Sequence, residues 1–594
     1  MKFPYGISDF YQVITEDYFF VDRTDRIPVF EELGKQLLFL RPRRFGKSLW
    51  LSILENYYDV AKAEEFDRLF GHLAVGQNPT ALHNRYCVLR WDFSMVAAYG
   101  EADEIAQALH RHVNSRIQDF AVRYQQMLPR PIEINAIDAL VSFQSALTAV
   151  QQTPYKLYLL IDEYDNFANE LAMGGQPAGK ARYDALLRGE GALKTLFKAI
   201  KGAASGFGLD CVFITGVSPV VLSDLTSGYN VAKTIALEPA FNDLCGFTEA
   251  EIAATLRQIA ATCGWPEERA AEALEMMRTF YNGYRFITAV NAERVYNPTL
   301  ALYFMDHFRR HCAYPENMLD ANLAMDRGKL AYIASLPGGG QLLMDAVTAE
   351  PPVALSVLAD RFGVEDMLTA TKDALFMASF LYYFGVLTFG GRTPFGKLIL
   401  SIPNLVTRKL YVERIQDLLL PDRRVQDTGR RAADLLLQTG DLQPVCDFVE
   451  QRYFKVFDNR DYRWVNELTV KTAFLTLLFN DIAYIMDSEP ALARTYADLV
   501  MIVRPEMRQY ALPDVLFEFK YVALDEVKLT CEQARGLSAA EARGLTAVQA
   551  RLAEAKIILQ GHRRALEARY GARLRLRAYA VVSLGFDRLV WEEG

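Results

Sequence analysis

The hydrophobic positions of this chain fall into two alternating periods. The run Leu37–Leu40 is apolar throughout, as in a strand buried on both faces, and Leu49, Ile53, Leu54 and Tyr57 then recur with the spacing of one helix face. Three further apolar runs read as strands: Tyr86–Phe93, Tyr155–Ile161 and Cys211–Ile214. An amphipathic pattern over Glu101–Leu128 predicts a long helix between the first two of them. Strands alternating with helices predict a mostly parallel sheet flanked by helices, with ligands at the carboxyl ends of the strands. After Phe247 the pattern becomes helical, and Thr248-Glu249-Ala250-Glu251 supplies a helix start with a capping Thr and an acidic first turn. Helices continue over 301–404 and end in two short strands, 385–388 and 398–401, around a Gly/Pro turn. That order predicts a winged-helix-like module. The polar stretch from Pro421 to Arg431 reads as a connection. Beyond it come an apolar helix from Asn466-Glu467 to Phe479, strands over 496–503 and 512–522, a helical region, and a strand over 575–582.

The polar residues at the strand ends carry the candidate chemistry. Arg41 to Ser48, between the first strand and its helix, ends in Gly46-Lys47-Ser48. A helix N-terminus with a glycine for close approach, a Lys for outer phosphates and a hydroxyl for Mg²⁺ is a phosphate-binding arrangement. The first glycine of the pattern G-x-x-x-x-G-K-[ST] is replaced by Arg41. Arg44, Phe45, Gly46, Lys47, Ser48 and Leu49 are the candidate nucleotide-binding residues. The third strand ends in Asp162-Glu163, where Asp162 would join Ser48 in holding Mg²⁺ and Glu163 would orient or deprotonate water. Thr215 and Ser218, at the tip of the fourth strand, are candidates to sense a γ-phosphate.

The segments FPYGISDF, YFFVDRT, RPRRFGKSL, LLIDEYDN and FITGVSP together resemble the AAA-ATPase-like family over roughly the first 300 residues. The resemblance implies ATP and Mg²⁺ as cofactors, and an Arg at position 41 is usual in that family. In related ATPases the region after Phe247 is a helical lid. Arg285 is the candidate transition-state arginine there, weighed against a packing role beside Tyr281 and Tyr284.

The C-terminal order of helix, hairpin with D and E-x-K, helix and strand resembles the PD-(D/E)XK nuclease domain that often follows an AAA-ATPase-like domain. Asp514 of the literal Pro-Asp pair would lie about 13 Å along one strand from Glu518, too far to share a metal. Asp498, on the preceding strand, can come opposite Glu518. Asp498 and Glu518 are therefore the expected Mg²⁺ ligands, with Glu467 as a further ligand and Lys520 positioning or activating water. A cluster of His562, Arg563, Arg564, Arg569, Arg573, Arg575 and Arg577 suits either a phosphate backbone or a solvated helix face balanced by Glu554 and Glu567.

Composition limits these readings. A chain of 594 residues, 51% hydrophobic, is long enough for several domains. The expected division is 1–246 ATPase, 247–410 lid and winged-helix-like region, 411–431 linker and 432–594 nuclease-like domain, giving a multidomain α/β fold. A net charge of −8 excludes a uniformly basic nucleic-acid coat but leaves room for a local basic surface. The seven cysteines contain no C-x-x-C pair and read as reduced thiols. No signal-peptide layout opens the chain, and the uncharged stretch Ala374–Gly391 reads as a buried helix turning into a strand. The expected protein is cytoplasmic and needs no membrane. It hydrolyses ATP, and its Mg²⁺-dependent nuclease domain acts on DNA. The alternatives are a nucleotide-dependent switch whose C-terminal domain binds nucleic acid or a partner without cutting, and a homo-oligomeric remodelling ATPase.

Overall fold

The computed structural model describes residues 1–97, 100–166, 191–219, 229, 231–289, 291–319, 327–348, 353–359, 373–457, 467–487, 491–492 and 495–594. Its contacts divide the chain into two units, Met1–Ala313 with Ala354–Ser401, and Tyr314–Val353 with Ile402–Gly594.

The first unit is built on five strands: β1 (Gln36–Leu40), β2 (Tyr86–Asp92), β3 (Lys156–Asp162), β4 (Leu209–Gly216) and β5 (Lys233–Thr234). They lie in the order β2-β3-β4-β1-β5, and all neighbours are parallel. The Asp-Glu strand β3 is thus separated from the P-loop strand β1 by β4. The helix α1 (Lys47–Tyr58) follows β1 directly and buries Trp50, Leu51, Ile53, Leu54, Tyr57 and Tyr58. Its buried face joins a core around Phe30, which stacks on Phe241 at 4.2 Å. The amphipathic stretch after β2 forms α2 (Ala102–Arg123), started by a capping box between Glu101 and Glu104.

Beyond the sheet, α3 (Glu249–Thr262) begins with the capping box of Thr248 and Glu251 that the sequence announces. Glu251 also receives both terminal nitrogens of Arg23, at 2.6 and 2.9 Å, which ties α3 to the segment before β1. The helices α4 (Glu267–Tyr281) and α5 (Pro298–His311) follow. Cys263 and Cys312 form a disulfide, which corrects the expectation that every cysteine is a reduced thiol. The two residues cap the C-terminal ends of α3 and α5, so folding brings together thiols that lie 49 residues apart in sequence. The uncharged stretch forms α6 (Ala374–Tyr383) and enters the hairpin β6 (Thr388–Arg392) and β7 (Leu398–Ser401). Gly385, between helix and hairpin, has φ +78°, and a Cβ there would lie 2.6 Å from Pro42 Cβ. The turn therefore needs glycine twice, for its backbone angle and for its close approach to the P-loop. Among the described residues no helix is long and apolar enough to cross a membrane.

The second unit differs from the expected boundaries. The segment 411–431, expected as a linker, lies mostly within α7 (Leu405–Leu419) and α8 (Arg423–Thr439). Pro421-Asp422 is only the turn between them, with Asp422 capping α8. Arg423, Arg424, Arg430 and Arg431 belong to the polar side of a helix that buries Ala432, Ala433, Leu436 and Leu437. Short helical segments over 443–457 precede the helix α9 (Glu467–Leu478), whose expected first residue, Asn466, lies outside the described residues. A mixed sheet follows, made of β8 (Tyr484–Asp487), β9 (Leu499–Val503), β10 (Asp514–Val522), β11 (Leu576–Leu584) and β12 (Arg588–Glu593). Its order is β12-β11-β10-β9-β8. Only β10 and β11 run parallel, and α10 (Thr546–Tyr570) lies between them in sequence. A parallel pair requires such a crossover. The edge strands β8 and β12 extend the expected core on both sides. Phe474 of α9 packs on Phe517 and Phe519, while Leu552, Ala555 and Leu559 of α10 join the sheet's other apolar cluster.

Candidate functional site

The turn from β1 into α1 is held from behind by Arg41. Its side chain is 2% exposed and donates to the carbonyls of Leu40, Ala236 and Phe241 at 2.9, 2.8 and 2.6 Å. The guanidinium also stacks on Phe39 and Phe286. Burial pulls its pKa down to about 10, with the Asp243 charge among those opposing the shift. Arg41 anchors the loop, then, and does not approach a phosphate from the position of the missing glycine. Phe45 is likewise inward, edge-on to Tyr284 and Phe286 at 4.9 and 5.1 Å, so only its backbone can serve a ligand.

Arg44 and Gly46 have φ of +66° and +88°, the left-handed conformations that curl the loop. Nothing lies within 4 Å of a Cβ built at Gly46, which leaves the cradle open. Lys47 is buried and donates back to the carbonyls of Arg41 and Pro42 at 3.0 and 3.1 Å. Arg44 to Leu49 and Glu163 line one cavity of about 280 Å³. Apolar residues line it as well, Pro4, Phe19, Phe20, Phe247 and Pro298 among them. A phosphate cradle beside an apolar wall fits a nucleotide with its base and phosphates at the two ends.

The acidic pair at the end of β3 is fixed by its neighbours. Asp162 is 1% exposed, and its Oδ1 accepts from Thr215 Oγ1 at 2.6 Å and from the Glu163 N–H at 3.1 Å. Glu163 has φ +48°, so the chain turns sharply after Asp162. Burial raises the Glu163 carboxyl above its ordinary range, while the Lys47 ammonium opposes that shift. Thr215, proposed as a phosphate sensor, is fully buried and turned onto Asp162. Ser218, proposed for the same task, is 2% exposed and donates to Asp165, which also accepts its N–H. Both hydroxyls therefore set carboxylates in place. Arg285 is also buried, and its backbone N–H and carbonyl are both bonded to Thr388 Oγ1 of β6.

In the second unit, β9 and β10 pair antiparallel with Leu499 opposite Phe517, so Asp498 stands one position further, opposite Glu518. Asp498 Oδ2 accepts the Phe519 N–H at 2.7 Å. Lys520 Nζ donates to Glu518 Oε1 at 2.8 Å and lies 3.9 Å from Glu467 at the start of α9. Glu518 is 4% exposed, and its Oε2 is buried without a hydrogen-bond partner. Burial, with the Asp498 charge adding to it, pushes Glu518 up to about 7. The four expected residues thus converge. Yet among the described residues no three His, Cys, Asp or Glu side chains are grouped closely enough to hold a metal ion. The Lys520 ammonium is within 2.8 Å of Glu518 and 3.9 Å of Glu467.

Two residues that sequence reasoning did not place lie at this site. Lys471, one turn after Glu467 on α9, is 2% exposed with Nζ 3.9 Å from Asp498. A lysine inside an apolar helix face was its only signal. His562, read only as part of a basic cluster, is 1% exposed and feels the charges of Asp498 and Lys520. Asp514 is fully buried and accepts from both terminal nitrogens of Arg508 and from the N–H groups of Val503 and Arg575. Members of the expected basic cluster are partly committed internally: Arg575 donates to the carbonyl of Tyr510, and Arg563 to that of Gly594.

Comparison with known proteins bears on the first of these sites. A protein of Azotobacter chroococcum mcd 1, described as an uncharacterized protein in the vnfD 5' region, is 26% identical over 453 residues, covering 74% of this chain and 73% of that protein. Among solved structures, the chain aligns with a Walker-type ATPase of Pyrococcus abyssi at 14% identity and a TM-score of 0.35, over 66% of this chain and 96% of that one. It aligns with Cdc6p from Pyrobaculum aerophilum at 11% identity and a TM-score of 0.26, over 68% and 98% of the two chains. Residues 4–226, which hold strands β1 to β4 of the parallel sheet, the Lys47 loop and the Asp162-Glu163 pair, match the AAA-ATPase-like family model, described as a predicted AAA-ATPase.

Proposed function

We propose that this protein binds and hydrolyses ATP at the Lys47 loop and couples that ATPase to Mg²⁺-dependent cleavage of phosphodiester bonds, with DNA as substrate. The observation that carries the ATPase reading is the shared cavity. The open cradle at Gly46, the N-terminus of α1 and the Glu163 carboxyl all face one space, with an apolar wall for a base. Lys47 and Ser48 would hold the phosphates and the magnesium ion, with Asp162 on the metal's side. The bound metal supplies charge neutralisation across the phosphates. Glu163 would orient water, and its raised affinity for protons suits it to accept one.

The cleavage reading rests on the second unit, proposed as a PD-(D/E)XK-like core of restriction-endonuclease type. Asp498 and Glu518 lie on facing strands, and the orphaned, buried Oε2 of Glu518 has room in its bonding for a cation. Lys520 would hold water or offset charge on a phosphate. Glu467 would join only after Lys520 shifts. One observation favours a second reading, a nucleotide-dependent switch that binds nucleic acid or a partner without cutting it. Lys520 already occupies the position between the carboxylates as their cation. A remodelling homo-oligomer would need an arginine acting in trans, and the buried Arg285 does not offer one.

Purified protein tested with supercoiled, linear and single-stranded DNA and with RNA, with Mg²⁺ and with or without ATP, separates these readings. Cleavage lost in Lys520→Ala, with ATP hydrolysis retained, supports the coupled enzyme. Hydrolysis of ATP without cleavage of any nucleic acid in Mg²⁺ supports the switch. Mass in solution with ATP reports oligomerisation.

A further inference from the structure

Arg90 is the charged side chain that contacts Asp162. It sits on β2, in register with Leu160 of β3, so its side chain emerges two residues short of the Asp-Glu tip. One terminal nitrogen lies 3.4 Å from Asp162 Oδ2 and the other 3.3 Å from Glu55 Oε2. Glu55 also accepts from Arg123 at 2.9 Å, and Arg123 reaches the fully buried Asp59 at 3.3 Å. The result is a chain of alternating charge, Asp162–Arg90–Glu55–Arg123–Asp59.

The two oxygens of Asp162 are held very differently. Oδ1 is fixed by a 2.6 Å hydroxyl bond and a backbone N–H. Among the described residues Oδ2 has only the long contact to Arg90. That contact is one nitrogen of a fork split between two carboxylates, unlike the two-pronged grip of Arg23 on Glu251 at 2.6 and 2.9 Å. Oδ2 is therefore the exchangeable side of Asp162. The helix supplies somewhere for the guanidinium to go. Ser48 and Glu55 are seven residues apart on α1 and so share a face, with Glu55 about 10 Å further from the loop.

We infer that Arg90 is a positioning residue that stands in for a divalent cation at Asp162 Oδ2 and passes to Glu55 when the metal arrives with nucleotide. The inference rests on the ATPase reading above and concerns how its metal side is kept ready. Two consequences have opposite sign. Removing the guanidinium removes a competing positive charge, so metal binds more tightly. Removing the Glu55 charge leaves Arg90 on Asp162, so metal binds more weakly. A residue that merely props up the fold would weaken binding in both cases.

The test is a titration of Mn²⁺ into the full chain in the presence of a non-hydrolysable ATP analogue, with free Mn²⁺ read by electron paramagnetic resonance. Arg90→Gln is expected to tighten Mn²⁺ binding about five- to tenfold, Glu55→Gln to weaken it about threefold, and Arg90→Lys to stay near the wild type. In the Arg90→Gln background, Glu55→Gln is expected to have no further effect, because its effect acts through Arg90. If Arg90→Gln does not fold, the Glu55→Gln and Arg90→Lys titrations still decide, since unchanged or tighter binding in Glu55→Gln overturns the inference. So does weaker binding in both single variants. Wild-type protein that binds nucleotide and Mn²⁺, with variants that show none of these shifts, overturns the role of Arg90 alone. Wild-type protein that binds neither overturns the ATPase reading and this inference with it.

Discussion

Asp498 and Glu518 stand opposite each other at the β9–β10 pairing, and their carboxylates are held unequally. Asp498 accepts the Phe519 N–H, whereas Glu518 has one oxygen on Lys520 and the other buried without a partner. Two carboxylates this close, with one poorly solvated, favour keeping a proton. The stability of the metal-free protein should register this. Glu518 is raised from an ordinary 4.5 to about 7, so between those values the folded state holds more protons than the unfolded state. Its contribution is fully present below pH 4.5 and is lost as pH rises through 7. Thermal melts in chelator should show Glu518→Gln gaining on the wild type from pH 5 to pH 8, by about 1–3 kcal/mol. A constant difference across that range would remove the assignment.

Asp514 and Asp498 should separate cleanly in mutagenesis. Asp514, itself fully buried, joins the partly buried Arg508 and the N–H groups of Val503 and Arg575 at the start of β10. Asp514→Ala leaves a charged arginine and two backbone donors without their acceptor, and should destabilise the unit by about 3–5 kcal/mol. Asp498→Asn should cost far less in the melt, under about 1.5 kcal/mol, while abolishing Mg²⁺-dependent cleavage. Denaturant unfolding beside a cleavage assay tests both.

The first unit was legible because its signals are local. An apolar run, a Gly-Lys-Ser turn and an amphipathic helix lie within about 25 residues, and each is satisfied in place. What escaped was pairing at a distance. Thr215 and Ser218 look like ligand-binding hydroxyls until their partners, Asp162 and Asp165, are seen about 50 residues away. The cysteines at 263 and 312 gave no spacing signal because two helix ends bring them together. The arginines from 423 to 431 suggested a linker because a helix whose exposed side is charged resembles one until its buried positions are counted. In the second unit the period-two placement of Glu518 and Lys520 marked the site, but Lys471 and His562 reach it from separate helices.

Arg41 gives a direct test of loop anchoring against ligand contact. Arg41→Gly would restore the general phosphate-loop pattern, yet it strips hydrogen bonds from three buried carbonyls and removes two aromatic stacks. The expected outcome is a loss of about 3–5 kcal/mol in stability with no gain in nucleotide affinity. Circular-dichroism melts and titration with a fluorescent ATP analogue give the two numbers. Tighter nucleotide binding in Arg41→Gly would show that the arginine obstructs the cradle.

Lys47 and Glu163 line the same cavity but should fail in different ways. Lys47 donates to the loop carbonyls of Arg41 and Pro42 and lines the proposed nucleotide cavity. Lys47→Ala should weaken binding of the fluorescent ATP analogue at least tenfold and abolish hydrolysis, because the ground-state charge contact is lost. Glu163 carries its carboxyl on a left-handed residue at the strand tip, a geometry that glutamine can reproduce. Glu163→Gln keeps shape and hydrogen bonding but cannot take a proton. It should bind nucleotide within about threefold of the wild type and hydrolyse it about 100-fold more slowly. Equal losses of binding in the two variants would mean that Glu163 acts on the nucleotide itself and not on the attacking water.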